Sequence, residues 1–176
     1  MSRLRGLAPV IDARARVLIL GSFPSAASLA AQQYYGHRQN QFWPILGAVL
    51  GLPLAELDYA TRRQQVMAAG IAIWDVYRGC QRQGSLDSAI RSAVANDFRR
   101  LRRLAPQLLR VCFNGQTAGR YARQLADLGY ETTVLPSTSP AYTLPIERKL
   151  AAWRDALLIQ FELAGQGRSR PRVNSE

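Results

Sequence analysis

Val17-Leu18-Ile19-Leu20-Gly21-Ser22-Phe23-Pro24-Ser25 is the stretch that decides the fold. Four consecutive apolar residues suit a strand covered on both faces, as in a parallel sheet, whereas a half-solvated strand alternates. The run ends in a glycine and a rigid, hydroxyl-bearing turn. Three more runs of this kind lie further on, at Ile71–Val76, Leu109–Phe113 and Thr132–Leu135. Helical spacing fills the intervals. Phe42, Ile45, Leu46 and Val49 share one face. Phe98, Leu101, Leu104 and Ala105 share another, with Asn96 expected as N-cap. Ala118, Tyr121, Ala122, Leu125 and Leu128 form a third stripe. Ile146, Leu150, Trp153, Leu157 and Phe161 form a fourth, led by Pro145. Strands alternating with helices predict an α/β domain, a three-layer α/β/α sandwich around a four-stranded parallel sheet.

The chain has 176 residues, enough for one domain with a core of its own. One domain is expected over residues 1–164, followed by a disordered basic tail over 165–176 that carries Arg168, Arg170 and Arg172. No apolar run reaches a membrane span's length, and the basic N-terminus lacks a signal peptide's apolar stretch. Cys80 and Cys112 have no metal-ligand spacing, so reduced thiols, no metal, no cofactor and a monomeric cytoplasmic protein are expected. The formal net charge is +11, with 23 basic residues of which only Lys149 is lysine. Such an excess favours a polyanionic partner, because arginines neutralise phosphates and release counterions. Codon bias in a GC-rich genome also enriches arginine, but does not by itself deplete acids.

Open α/β sheets bind ligands beyond the carboxyl ends of their strands. Those ends carry Gly21-Ser22-Phe23-Pro24-Ser25, Tyr77-Arg78-Gly79, Phe113-Asn114-Gly115 and Leu135-Pro136-Ser137-Thr138-Ser139-Pro140. Between the first strand and the first strong helix lies Tyr35-Gly36-His37-Arg38-Gln39-Asn40-Gln41-Phe42-Trp43. Hydroxyl-bearing turns with free backbone N–H groups suit phosphate oxygens. Gly-x-Ser-x-Gly, Gly-x-Gly-x-x-Gly and Walker A patterns are all absent, which argues against a serine hydrolase on Ser22 or Ser25 with His37 and against a dinucleotide-binding domain.

Together, Gly21–Ser25, Tyr35-Gly36-His37 with Asn40 and Phe42-Trp43, Phe113-Asn114-Gly115 and Pro136-Ser137-Thr138-Ser139-Pro140 resemble the uracil-DNA glycosylase superfamily. The hypoxanthine-DNA glycosylase branch is the most similar, with the mismatch-specific uracil glycosylases nearby. The resemblance runs from about Arg16 to Arg154. It implies a monofunctional glycosylase that flips a deaminated base out of DNA and hydrolyses its N-glycosidic bond, hypoxanthine first among candidates. A G·U or G·T mismatch glycosylase and a non-catalytic damage-binding module are the alternatives. Phe23 stands where the uracil-specific relatives hold water with Asp or Asn, and Leu135 where they place a His. Arg38 replaces the proline common after His37.

From sequence alone Asn40 reads first as an N-cap for the Phe42 helix; the resemblance reverses this and makes it the candidate that positions water. Asn114 is the second catalytic candidate, its amide suited to a base edge or to a turn beside Gly115. Tyr35 is expected to stack on the base, and Phe23 and His37 to border it. Asp75 either accepts from the base edge or holds a loop, with Arg78 or a backbone N–H expected beside it. Ser22, Ser25, Ser137, Thr138 and Ser139 are expected to grip phosphates, and Tyr142 to enter the duplex as a wedge. The face carrying Arg99, Arg100, Arg102 and Arg103 reads as solvated.

Overall fold

A computed structural model describes residues 2–166, with residues 158–166 described by their backbone alone. In chain order, the strands are β1 (Leu4–Arg5), β2 (Val17–Gly21), β3 (Ile71–Asp75), β4 (Tyr77–Gln81), β5 (Arg91–Ala95), β6 (Arg110–Asn114) and β7 (Glu131–Leu135). The α-helices are α1 (Ala26–Ala31), α2 (Phe42–Leu50), α3 (Tyr59–Ala68), α4 (Leu101–Leu104), α5 (Gln116–Gly119), α6 (Ala122–Asp127) and α7 (Ile146–Gln166). Phe161 of the fourth stripe and residues 167–176 of the expected tail lie outside what is described; the helix itself continues through Gly165 and Gln166.

Four strands form a parallel sheet in the order β3-β2-β6-β7. The period of two along a strand sorts its residues between two cores. Val17, Ile19, Ile71, Ile73 and Cys112 face one side and pack with Phe42, Trp43, Ile45, Leu46, Val66, Trp153 and Leu157 of α2, α3 and α7. Leu18, Leu20, Ala72, Trp74, Val111 and Phe113 face the other and pack with Phe98, Leu101, Ala118 and Leu125. All five residues of β2 are buried, which explains its unbroken hydrophobicity. This is a three-layer α/β/α sandwich. Cys80 and Cys112 are buried free thiols. Among the described residues, no helix is long and apolar enough to cross a membrane.

Two local readings are corrected. The residues after β3 do not form a loop. The chain turns at Val76 and enters β4, which pairs antiparallel with β1 and β5 in a second, three-stranded sheet. Asn96 is not the cap of the helical turn at Phe98: the Asp97 carboxylate accepts from Arg99 N–H, while Asn96 Nδ2 donates to Asp75 O at 2.8 Å. The third stripe is also split into α5 and α6. Arg99, Arg100, Arg102 and Arg103 are exposed, as their face reads in sequence.

The connection from β2 leads to β3 on one side, and β6 lies on the other, so the topology reverses beside β2. Ligand crevices form at such switch points, outside the carboxyl ends of the strands.

Candidate active site

A cavity of about 310 Å³ opens at that edge. It lies at the lower end of the range typical of ligand pockets. The structure brings every candidate residue to its lining: Ser22, Phe23, Ser25, Tyr35, His37, Asn40, Asp75, Asn114, Ser137, Thr138, Ser139 and Tyr142.

Its wall is one hydrogen-bonded chain. Asn114 closes β6, and its Oδ1 accepts from Thr138 N–H at 2.9 Å while its Nδ2 donates to Thr138 Oγ1 at 2.9 Å. The Thr138 hydroxyl in turn donates to Asn40 Oδ1 at 2.8 Å, and that oxygen also accepts from Phe42 N–H at 3.0 Å. The Phe42 N–H fixes which way the Asn40 amide points, because a flipped amide would set donor against donor. Both acceptor sites of Asn40 Oδ1 are thereby taken, and its Nδ2 has no protein partner among the described residues. Asn40 is therefore not the N-cap of α2, which is Gln41; from one residue earlier it accepts from Phe42 N–H, and it still presents two N–H donors. Asn114 keeps one N–H and one lone pair. Gln41 N–H donates to Thr138 O at 3.0 Å, so the loop before α2 is sewn to the turn after β7.

Thr138 is thus corrected: it is fully buried, its N–H and hydroxyl are both engaged, and it has no donor for a phosphate. Ser22 is corrected for a similar reason, since its hydroxyl donates to Asp87 Oδ1 at 2.6 Å. Ser25 caps α1, accepting from Ser28 N–H, and its hydroxyl donates to Ser28 Oγ. Ser137 and Ser139 differ. Their oxygens accept from the N–H groups of Ser139 and Ala141, and both O–H hydrogens stay free for an anion.

The cavity floor is polar and buried. Gly21 lies beside Asp75 across the β2–β3 pair. A Cβ on Gly21 would come within 2.5 Å of Asp75 Oδ1 and 2.9 Å of the Tyr35 hydroxyl. Asp75 is 4% exposed, and its Oδ2 is buried without a partner, as is the Tyr35 hydroxyl. Burial first, and the charge of Asp87 second, push the Asp75 carboxyl up to about 7, against the pull of Arg82. Neither the expected Arg78 nor a backbone N–H bonds Asp75 Oδ2; the cation whose charge acts on it is Arg82. Burial, and then the nearby Asp75 charge, also raise the Tyr35 phenol; the Asn114 amide beside it offsets only part of this, lying outside hydrogen-bonding geometry.

Tyr35 has φ of 54°, a left-handed conformation that turns its ring inward. One ring face lies on Phe42 with centroids 3.8 Å apart at 14°, which leaves only the other face for a base. Phe23 is 6% exposed, with the Arg82 guanidinium 5.2 Å above its ring. It holds the second core together and cannot orient water. His37 is exposed, and its Nδ1 accepts from Gln39 N–H, which leaves Nε2–H as a donor.

Two features of the rim carry no recognisable sequence signal. Lys149, 1% exposed, donates to Tyr142 O at 2.7 Å and Ser139 O at 3.3 Å, and lies 5.4 Å from the Tyr142 ring centroid. The single lysine thus shapes the turn that presents Tyr142. Trp153 Nε1–H donates to Pro136 O at 2.9 Å and ties the same turn to α7. The segment after β4 places Ser85, Leu86 and Asp87 on the rim as well.

The family model of the uracil DNA glycosylase superfamily matches residues 8–159. This chain belongs to that superfamily. It is 38% identical over 152 residues to a hypoxanthine DNA glycosylase of Methanosarcina barkeri, covering 86% of this chain and 96% of the relative. It is 42% identical over 137 residues to a hypoxanthine DNA glycosylase of Methanosarcina acetivorans, covering 78% and 87%. A solution NMR structure from Methanosarcina acetivorans, described as a candidate uracil DNA glycosylase, superposes with a TM-score of 0.81 at 37% identity, covering 92% of this chain and 99% of that one. The protein is accordingly a DNA glycosylase. Within this superfamily member, the strand ends supply a floor (Gly21, Asp75), a wall (Asn114) and a turn (Pro136–Ser139) around one cavity.

Proposed function

We propose that this protein releases hypoxanthine from deoxyinosine in DNA. The observation that carries the reading is the locked amide of Asn40 beside a buried Phe23. The first motif holds no polar group that fits the water-holding task, and Asn40 offers fixed N–H donors at the same cavity. Two relatives named hypoxanthine DNA glycosylases, at 38% and 42% identity, support the choice of base.

In this reading the flipped base enters against the open face of Tyr35, with its polar edge toward Asp75 and Asn114. Asn40 Nδ2 donates to the oxygen of a water and holds it beneath C1′. Because Oδ1 is occupied, the residue positions the water without accepting its proton. A weak nucleophile suffices, since the sugar develops oxocarbenium character before water attacks. The C1′–N9 bond breaks, the electron pair leaves with the base, the water oxygen bonds C1′, and its proton passes to solvent. The base then takes up a proton. The free N–H of Asn114 stabilises charge on the departing base. Ser137 and Ser139 donate to phosphates, His37 Nε2–H to a phosphate or base carbonyl, and Tyr142 fills the space left in the duplex. The reading includes a monomer working in the cytoplasm on the nucleoid.

Single-turnover excision from matched duplexes carrying hypoxanthine or uracil tests the substrate. Faster hypoxanthine release is expected. Equal or faster uracil release assigns the protein to mismatch-uracil chemistry.

A further inference from the structure

Leu86 is 58% exposed and sits on the cavity rim, as does Tyr142 at 47%. Single exposed leucines are common and on their own mean little. This one is unusual in how firmly its loop is held. Arg82, 5% exposed, donates to Pro24 O and lays its guanidinium over Phe23. Ser85 Oγ accepts from Ala26 N–H at 3.0 Å. Asp87 Oδ1 accepts from the Ser22 hydroxyl at 2.6 Å. Three tethers thus bind the loop on either side of Leu86 to the turn after β2, over sequence separations of 58, 59 and 65 residues. A loop so fixed, with its apolar residue turned to solvent, is preorganised for a partner and not for the core.

The position names the partner. The Leu86 loop is tied to the turn after β2, and Tyr142 belongs to the segment after β7; β6 lies between these two strands in the parallel sheet. Two strand spacings of about 4.8 Å separate them, roughly 10 Å in all. That exceeds a single base step of about 3.4 Å. The two side chains are therefore carried by segments anchored on either side of β6, both at the lining of the cavity.

We propose that Leu86 is a second wedge, entering the base stack of duplex DNA on the flank of the lesion opposite Tyr142. The proposal rests on the glycosylase reading of the cavity. Apolar side chains inserted between base steps unstack them and kink the duplex, which lowers the cost of extruding the nucleotide between them. The chain's formal net charge of +11 brings the backbone to the rim without specifying a step.

The test compares wild type, Leu86→Ala and Leu86→Met on hypoxanthine in duplex and single-stranded oligonucleotides, with 2-aminopurine placed beside the lesion. Exposure of Leu86 makes both variants compatible with folding. In the duplex, Leu86→Ala should slow single-turnover excision about tenfold and lose most of the 2-aminopurine fluorescence rise on binding, while Leu86→Met retains both. Single-strand excision should stay within about twofold. An unchanged duplex rate and fluorescence, or an equal loss on both substrates, overturns the wedge. Absence of excision by the wild-type protein overturns the hypoxanthine reading instead, and the fluorescence comparison then still decides the role of Leu86.

Discussion

The hydroxyl of Thr138 donates to the side-chain oxygen of Asn40 at 2.8 Å, across 98 residues of sequence. Thr138 is also bonded twice to Asn114, so one buried threonine sets both catalytic candidates. In Thr138→Val the shape is kept and the hydroxyl is lost. Asn114 Nδ2 and Asn40 Oδ1 each lose a partner. Single-turnover excision should fall by about 10- to 100-fold, with DNA affinity nearly unchanged. A weaker Kd with an intact rate would return Thr138 to the phosphate-gripping role that its neighbours suggest.

Asp75 gives a pH signature of folding. Its carboxyl ionises near 7 in the folded chain, against 3.8 as the ordinary value. Between those values the folded state binds more protons than the unfolded one, so stability is complete below about 4 and is lost as pH rises toward 7. Asp75→Asn removes that loss. The variant should melt higher than wild type at pH 8 and should lose most of this advantage at pH 5. The same difference in Tm at both pH values would mean that Asp75 is not held protonated by its surroundings.

Gly21 is needed for space, since a Cβ there would strike Asp75 Oδ1 and the Tyr35 hydroxyl. Gly21→Ala should destabilise by about 1–3 kcal/mol, the usual range for overpacking, and should lower excision more than a stability change of that size explains. Chemical denaturation and single-turnover rates on the same sample separate the two effects. Normal excision by the variant would show that the floor around Asp75 and Tyr35 is not used.

The parallel sheet was legible because its inner strands are covered on both faces, leaving unbroken apolar runs such as Val17–Leu20. The second sheet was not. Tyr77–Gln81 is interrupted by Arg78 and Gly79, Arg91–Ala95 is largely exposed, and pairing with Leu4–Arg5 is set by long-range contact. Asn96 and Asp97 are adjacent residues with equal aptitude for capping, and only the approach of Asp75 O decides which one caps. The residues of the cavity were readable as strand-end motifs; their bonding was not. Ser137, Thr138 and Ser139 look alike in sequence, and burial alone turns the middle hydroxyl inward. The Leu86 loop and Lys149 matched no pattern, since their partners lie far along the chain or are backbone carbonyls.

The decisive measurement is on Asn40→Ala: single-turnover release of hypoxanthine from duplex DNA, with Tm taken on the same preparation. If Asn40 positions the attacking water, the rate falls roughly 100-fold or more. A modest fall in Tm, equivalent to about 1 kcal/mol, is expected from the lost hydrogen bond to Phe42 N–H. A folded variant with that loss of stability that still releases hypoxanthine at the wild-type rate would rule out Asn40 as the residue that positions the water.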